Sequence, residues 1–176
     1  MSNALISAVF YGYITLRKVN SKMSHKKTQD KIYSIFVFLD AEGKTKEEIL
    51  LKIAVFAKQR RLINNERYLY QKLIERENAA STAIGKGIAL PQACWIRMSR
   101  PYAFILCRTK EPVDFNSSDG LPVRIILASL GRDKWDSSRF RPMAHLVKFL
   151  KSSIYRKRFL GVKTKEEVYL LLEELT

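Results

Sequence analysis

The chain has 176 residues, 47% of them apolar, a length and composition suited to one globular domain with a sizeable core. Its 32 Lys/Arg against 17 Asp/Glu leave a net charge of +15, a field that speeds encounters with acidic partners and favours non-specific nucleic-acid contact. No apolar run reaches the roughly 18 residues of a membrane span, and two cysteines and two histidines, widely scattered, lack the spacing of a metal site.

Ala4 to Leu16 is the longest apolar candidate near the N-terminus. Ser7, Gly12 and Thr15 interrupt it, no charged segment precedes it and no convincing cleavage site follows, so it reads as a short buried strand and not as a signal peptide. Asn20 to Lys31 is polar and basic and reads as a loop. Residues 1–31 are therefore expected to form a basic arm or peripheral element, and 32–176 the domain proper.

Tyr33 to Leu39 is rich in β-branched and aromatic residues and predicts a strand. Asp40 to Gly43 is a turn. Thr45 with Glu48 is a capping box opening a helix over 45–60, with Ile49, Ile53 and Phe56 on one face. Asn64 or Asn65 caps a second helix running to about Asn78, with Leu69, Leu73 and Ile74 inward. Ser81 to Gln92 reads as a Gly-punctuated turn, a short apolar strand and a proline. Trp95 to Met98 suggests another strand. Tyr102 to Arg108 and Val123 to Leu130 are the strongest strands, and their near-continuous apolar character implies burial on both faces under helices. Pro112 to Gly120 between them carries turn chemistry and reads as a loop. Gly131 to Arg141 is a charged loop, and Pro142 is expected at the first position of a helix with Met143, Leu146, Val147, Leu150 and Ile154 as its stripe. Thr164 with Glu167 is a second capping box and starts the last helix. Strands and helices alternate, so the fold class is α/β. Cys94 and Cys107 lie in or beside apolar runs and are expected to be buried free thiols of a reducing cytosol.

The positive charge is uneven. Ala93 to Lys165 holds sixteen Lys/Arg against five Asp/Glu, a net of +11, and the N-terminal arm adds Arg17, Lys18, Lys22, Lys26, Lys27 and Lys31. This reads either as a solvated basic surface or as a contact for nucleic acid; no RNP, helix-turn-helix or zinc-finger pattern accompanies it.

Four groups of residues occur in an ordered series: Glu75-Arg76-Glu77, Ser81-Thr82, Gly85-Lys86-Gly87 and Gly87-Ile88-Ala89-Leu90-Pro91-Gln92. Further on stand Pro112-Val113-Asp114-Phe115, then Asp119-Gly120-Leu121-Pro122-Val123, then His145-Leu146. This series resembles the type-2 (fructose, mannitol and nitrogen-regulatory) EIIA domains of the bacterial phosphotransferase system, over roughly Tyr33 to Glu174. The resemblance implies a mixed β-sheet sandwiched between helices, with Gln92, Arg76 and His145 converging at one edge of the sheet. It gives Arg76 the role of phosphate-contacting cation, to which a guanidinium fork is suited. It gives His145 the role of a second histidine that holds the site by hydrogen bonding, and Ser81, Thr82, Gly85, Gly87 and Pro91 supporting roles. Taken alone, Arg76 also reads as a solvent-facing charge favourable to a helix C-terminus, and His145 as a half-exposed surface histidine.

The family closes this segment on Gly-Ile-Ala-Ile-Pro-His, and that histidine carries the phosphoryl group. Here Gln92 follows Pro91, with Ala93-Cys94-Trp95 beyond it. Phosphoryl transfer needs a neutral imidazole nitrogen with a free lone pair; the amide nitrogen of Gln92 has its lone pair delocalised into the carbonyl. Gln92 still donates and accepts hydrogen bonds. The expected function is therefore an EIIA-like, cytoplasmic, regulatory domain that binds protein partners, such as an HPr-like phosphocarrier or a regulated kinase or transporter, without cofactor or metal. Two alternatives stand beside it: an active phosphocarrier in sugar uptake or nitrogen regulation using His145, and a basic nucleic-acid-associated regulator on the same fold.

Overall fold

The computed structural model describes residues 5–10, 13–18, 33–133 and 137–174. The expected loop Asn20 to Lys31 and the boundary between residues 31 and 32 lie outside the described residues. The chain forms two compact units, residues 37–136 and residues 1–36 with 137–176.

The first of these holds a five-stranded mixed sheet. Its strands come from β3 (Tyr33–Ala41), β4 (Ile88–Ala89), β5 (Gln92–Ala93), β6 (Tyr102–Val113) and β7 (Val123–Gly131). The order is β3-β6-β7-β4, with β5 also on β7. β6 and β7 run antiparallel from Tyr102↔Gly131 to Val113↔Val123, whereas β4 and β5 lie parallel to β7 through Ile88↔Ile125 and Gln92↔Ser129. The continuous apolar runs have the expected consequence: Phe104, Ile105, Ile126 and Leu127 are fully buried. β6 continues to Val113, past a register shift beyond Arg108, so Pro112 and Val113 end a strand instead of opening the expected loop. A proline is tolerated there because strand ends and bulges leave its missing N–H unneeded.

Helices α1 (Lys46–Gln59) and α2 (Glu66–Ala79) belong to the same unit. Thr45 Oγ1 accepts from the Glu48 N–H at 3.2 Å, the cap read from the sequence, while Glu48 Oε2 reaches one residue past the N-cap and accepts from the Lys44 N–H at 2.8 Å. Asn65, not Asn64, caps α2, accepting from the Tyr68 N–H at 3.0 Å. α1 turns Ile49, Leu50, Ile53, Ala54, Phe56 and Ala57 inward. α2 buries Leu69, Leu73 and, unexpectedly, Glu77, while Ile74 is only half-buried.

Trp95 to Met98 is not a strand. Only Met98 pairs, in an isolated bridge with Ile63, and Trp95 sits at φ +61°, which breaks an extended run. Cys107 is fully buried, and burial, helped by the charge of Asp40, pushes its thiol well above the usual range. Cys94 is half-buried, short of the burial expected.

In the second unit the N-terminal stretch expected as one strand is two: β1 (Leu5–Phe10) and β2 (Tyr13–Lys18), antiparallel, with β2 in turn pairing the start of β3. The unit also contains α3 (Ser137–Lys151), α4 (Ser153–Gly161) and α5 (Lys165–Glu173). α3 begins at Ser137, so Pro142 lies inside it and not at its first position. Past the first turn a proline removes one intrahelical hydrogen bond and crowds the carbonyl four residues back, a cost the rest of the helix must offset. Leu146, Phe149 and Leu150 are buried, but the helix stops before Ser152, and Ile154 is 69% exposed on α4 instead of completing the stripe. The break falls at Ser152, whose backbone is extended at φ −67°, ψ 125°, and the Arg156 Nη1 donates to the carbonyls of Leu150 (3.1 Å) and Lys151 (3.0 Å) that a longer helix would have used. Thr164 caps α5 through the Glu167 N–H at 3.2 Å, as expected. Among the described residues no helix is long and apolar enough to cross a membrane.

Candidate functional site

The residues from Glu77 to Gln92 are fixed almost entirely by their own hydrogen bonds. At the end of α2, Arg76 Nη1 donates to the Ala80 carbonyl at 2.9 Å, satisfying one of the helix's free acceptors. Glu77 is 2% exposed. Its Oε2 accepts from both the N–H (3.0 Å) and the hydroxyl (2.6 Å) of Thr82, and Lys46 Nζ stands 3.7 Å from Oε1. A buried carboxylate is tolerated only with such partners. Ser81 Oγ donates to the Phe115 carbonyl at 2.5 Å and accepts from the Ala83 N–H at 3.2 Å.

The glycines are there for geometry. Gly85, Lys86 and Gly87 follow one another at φ +82°, +57° and +71°, a left-handed run that glycine adopts without penalty. A Cβ on Gly85 would come within 2.9 Å of Asp119 Oδ2, and one on Gly87 within 3.2 Å of the Pro122 carbonyl oxygen. That closeness serves a clamp: Asp119 Oδ2 accepts from the Lys86 N–H at 2.6 Å, and its Oδ1 accepts from the Ser117 hydroxyl at 2.6 Å and the Leu121 N–H at 3.2 Å. These donors, the Ser117 hydroxyl first, hold the Asp119 carboxyl below its ordinary range. The Gly87 carbonyl then accepts from the N–H groups of Arg124 and Ile125, both at 3.0 Å, and the Thr82 carbonyl accepts from Leu90 N–H at 2.9 Å.

Pro91 hands the chain to β5 through its carbonyl, which accepts from Ser129 N–H at 2.9 Å. Gln92 is thereby set in register with Ser129 on β7, with α2 packed against β5. Gln92 is half-buried, and its amide forms no hydrogen bond to the described residues. Ser129 Oγ, its cross-strand neighbour, is buried and also lacks a partner. The frame thus ends on an unused amide beside an unused hydroxyl.

Arg76, Ser81, Thr82, Gly85, Gly87, Pro91 and Gln92 all fall in the unit of residues 37–136. His145 belongs to the other unit. It is exposed on α3 and lines a groove of about 370 Å³ with Lys148, Phe149, Ser152, Tyr155 and Glu174. Glu77, which the sequence places in the Arg76-Glu77 pair of the series, proves to be buried, and nothing in its place near a helix end announces that burial. Trp95, 63% exposed, belongs to the expected strand and has no other role in the sequence reading; the alternation Trp95, Ile96, Arg97, Met98, Ser99 carries the signal, with the odd positions outward.

Residues 31–175 match the model of a family described as phosphoenolpyruvate-dependent sugar phosphotransferase system, EIIA 2. A nitrogen regulatory protein of Bradyrhizobium diazoefficiens is 26% identical over 61% of this chain and 70% of its own length. The crystal structure of nitrogen regulatory protein IIA-Ntr from Neisseria meningitidis superposes with a TM-score of 0.64 at 23% identity, covering 80% of this chain and 92% of that one. Enzyme IIA-mannitol from Escherichia coli, solved in complex with phosphorylated enzyme IIB-mannitol, superposes at 0.63 with 22% identity, covering 77% of this chain and 92% of the matched one.

Proposed function

The chain belongs to the EIIA type-2 family of the phosphoenolpyruvate-dependent sugar phosphotransferase system, and we propose that within that family it is a cytoplasmic recognition domain that does not carry phosphate on residue 92. The observation behind this reading is the contrast at Pro91. Every supporting residue of the resembled motif up to that point is present and engaged, and the side chain that follows is an amide. The bond to be formed is between phosphorus and a nucleophilic nitrogen, with the donor histidine of the upstream carrier as leaving group. The amide nitrogen of Gln92 lacks the lone pair for that attack. It retains hydrogen-bonding capacity, so the surface around it would engage a phosphotransferase-system protein, such as an HPr-like carrier or a regulated kinase or transporter, in the manner of a domain locked in its unphosphorylated state. Arg76, held to the Ala80 carbonyl by one nitrogen, keeps further donors for an anionic group on that partner.

The test is phosphoryl transfer from phosphoenolpyruvate through purified enzyme I and HPr. The wild-type chain is expected to take up no label, and Gln92→His to take up acid-labile label. Stable incorporation by the wild type overturns the proposal. A second reading, His145 as acceptor, is favoured by its exposure in a groove beside Lys148; label on the wild type that disappears in His145→Ala would establish it.

A further inference from the structure

Immediately beyond the frame the chain presents a different surface. Trp95 is left-handed, at φ +61°, a conformation costing a non-glycine residue about 1–2 kcal/mol, and the residue is 63% exposed. Neighbours hold the backbone on both sides. The Tyr68 hydroxyl donates to the Trp95 carbonyl at 3.4 Å, and the Ile96 N–H donates to the Gly131 carbonyl at 3.0 Å. The strain thus keeps a large ring in water, although the hydrophobic effect alone would draw it inward.

Two grooves meet at this ring, of about 460 and 490 Å³, sharing Asn64, Trp95, Ile96 and Arg97. Arg61 and Arg132 complete the cationic lining of one, and Asn65 and Tyr68 line the other. No Asp or Glu lines either groove. Arg61 and Arg97 are exposed and form no ion pair among the described residues. Arg132 donates its Nε to the Met98 carbonyl at 3.0 Å, which leaves its terminal nitrogens for a ligand. The aliphatic residues under the grooves are almost fully covered: Leu62 is 1%, Ile63 3%, Ile96 2% and Met98 8% exposed. A ligand therefore meets aromatic rings, guanidinium groups and side-chain amides, with very little aliphatic surface.

We propose that this surface binds single-stranded nucleic acid, one base stacking on Trp95 and flanking phosphates pairing with Arg61, Arg97 and Arg132. Stacking on an exposed ring is tolerant of sequence because every base has a π-face, and cations spaced along an open groove follow the phosphates. Residues 37–136, the unit that holds both grooves, carry 17 Lys/Arg against 12 Asp/Glu, a net positive charge that adds long-range attraction. Trp, Tyr and Arg also anchor protein interfaces, but a protein partner fits less well, since three guanidinium groups with no Asp or Glu among them call for a chain charged at every unit. A free nucleotide fits less well too, because small-ligand sites bury most of their occupant and both grooves are open to solvent. Binding at this surface does not depend on the state of Gln92.

The experiment is fluorescence anisotropy with a 5′-fluorescein oligouridylate of about 12 nucleotides in roughly 50 mM salt, where phosphate contacts are strongest. Trp95→Ala is expected to weaken binding by about 5- to 150-fold, the range for loss of one stacked base, and Trp95→Phe to retain most of it. Replacing Arg61, Arg97 and Arg132 together by Ala should flatten the dependence of log K on log salt by about 2, at about 0.7 per single-strand phosphate contact, whereas Lys52→Ala, an exposed cation of α1, should leave affinity within about twofold. Absence of binding, or binding indifferent to Trp95→Ala, overturns the proposal. So does equal competition by uridine monophosphate per nucleotide, which marks a small-molecule site, or equal competition by polyglutamate per charge, which marks an acidic protein partner.

Discussion

Ser81 to Pro91 and Trp95 to Ser99 are separated by three residues, and they spend their polar groups in opposite directions. In the first stretch the side chains of Ser81 and Thr82 and the left-handed backbone at Gly85 to Gly87 are all consumed internally, by Phe115, Glu77 and Asp119. In the second, only the backbone is tied down, through Ile96 N–H to Gly131 and Ser99 N–H to Leu62 at 2.8 Å; Trp95 and Arg97 face solvent with nothing of their own fold to bind. A segment that satisfies itself positions something else, and here that is residue 92. A segment that leaves rings and guanidinium groups exposed awaits something outside. The two stretches therefore call for different tests: damage to the first should appear as lost stability, damage to the second as lost binding with stability kept.

The largest expected effect is at Glu77. Glu77→Ala strands the buried N–H and hydroxyl of Thr82, which now share one carboxylate oxygen, and leaves a space at the end of α2. Hydrogen bonds to charged groups contribute about 1.5–3 kcal/mol, and orphaned buried donors cost about 1–3 kcal/mol. Urea unfolding should show a loss of about 2–4 kcal/mol with an unchanged m-value. A loss below about 1 kcal/mol would mean that backbone bonds alone hold the frame, and the contrast with Trp95 to Ser99 would disappear.

A smaller effect is expected at Asp119. Its folded carboxyl titrates below the ordinary value of 3.8 because the Ser117 hydroxyl, then the Lys86 and Leu121 N–H groups, favour the charged form. A depressed folded pKa means that the contribution is present above the ordinary value and lost as pH falls through the folded one. The turn at Gly85 to Gly87 should therefore loosen only below about pH 3.8. Carboxyl-carbon NMR should find Asp119 among the lowest-titrating aspartates, and Asp119→Asn should flatten the acid limb of the stability curve. Titration at or above 3.8 would show that the clamp is not formed in solution.

What the sequence announced was mostly local. Thr45, Asn65 and Thr164 each cap a helix through an N–H three residues on, so the necessary information lies within one turn. The long apolar runs of β6 and β7 stood out because both faces are covered. The misses all involve partners distant in sequence or weighed wrongly against a rule. Trp95 to Met98 alternates like a strand, but the Ile96 N–H goes to Gly131 and the N–H of Ser99, just beyond, goes to Leu62, two unrelated places, so no ladder forms. The stripe from Met143 to Ile154 has helical spacing, yet the backbone turns extended at Ser152 and Arg156, beyond the break, takes the carbonyls of Leu150 and Lys151. Pro142 satisfies the rule for a first helical position and nevertheless sits inside the helix. At the site, the order Arg76, Ser81, Gly85, Gly87, Pro91 was legible because glycine and proline at fixed offsets mark backbone geometry. The burial of Glu77 was not, since it depends on Lys46 and Thr82 approaching from either side.

The smallest expected change in stability separates the two stretches most sharply. Trp95→Gly removes the ring of a residue that is 63% exposed, so little buried area is lost. It also places at φ +61° the residue that adopts this conformation freely, relieving about 1–2 kcal/mol of local strain. Against this stand the ring's remaining contacts and the greater freedom of an unfolded glycine, roughly 0.5–1 kcal/mol. The sum is a shift within about 1 kcal/mol of zero, read by urea unfolding, together with oligouridylate binding weakened as in Trp95→Ala. A residue whose removal leaves the fold untouched but weakens binding is one that the fold holds in strain for the sake of a ligand. Should Trp95→Gly instead cost more than about 2 kcal/mol, the ring is a structural plug, and Trp95 to Ser99 belongs with Ser81 to Pro91 as scaffold.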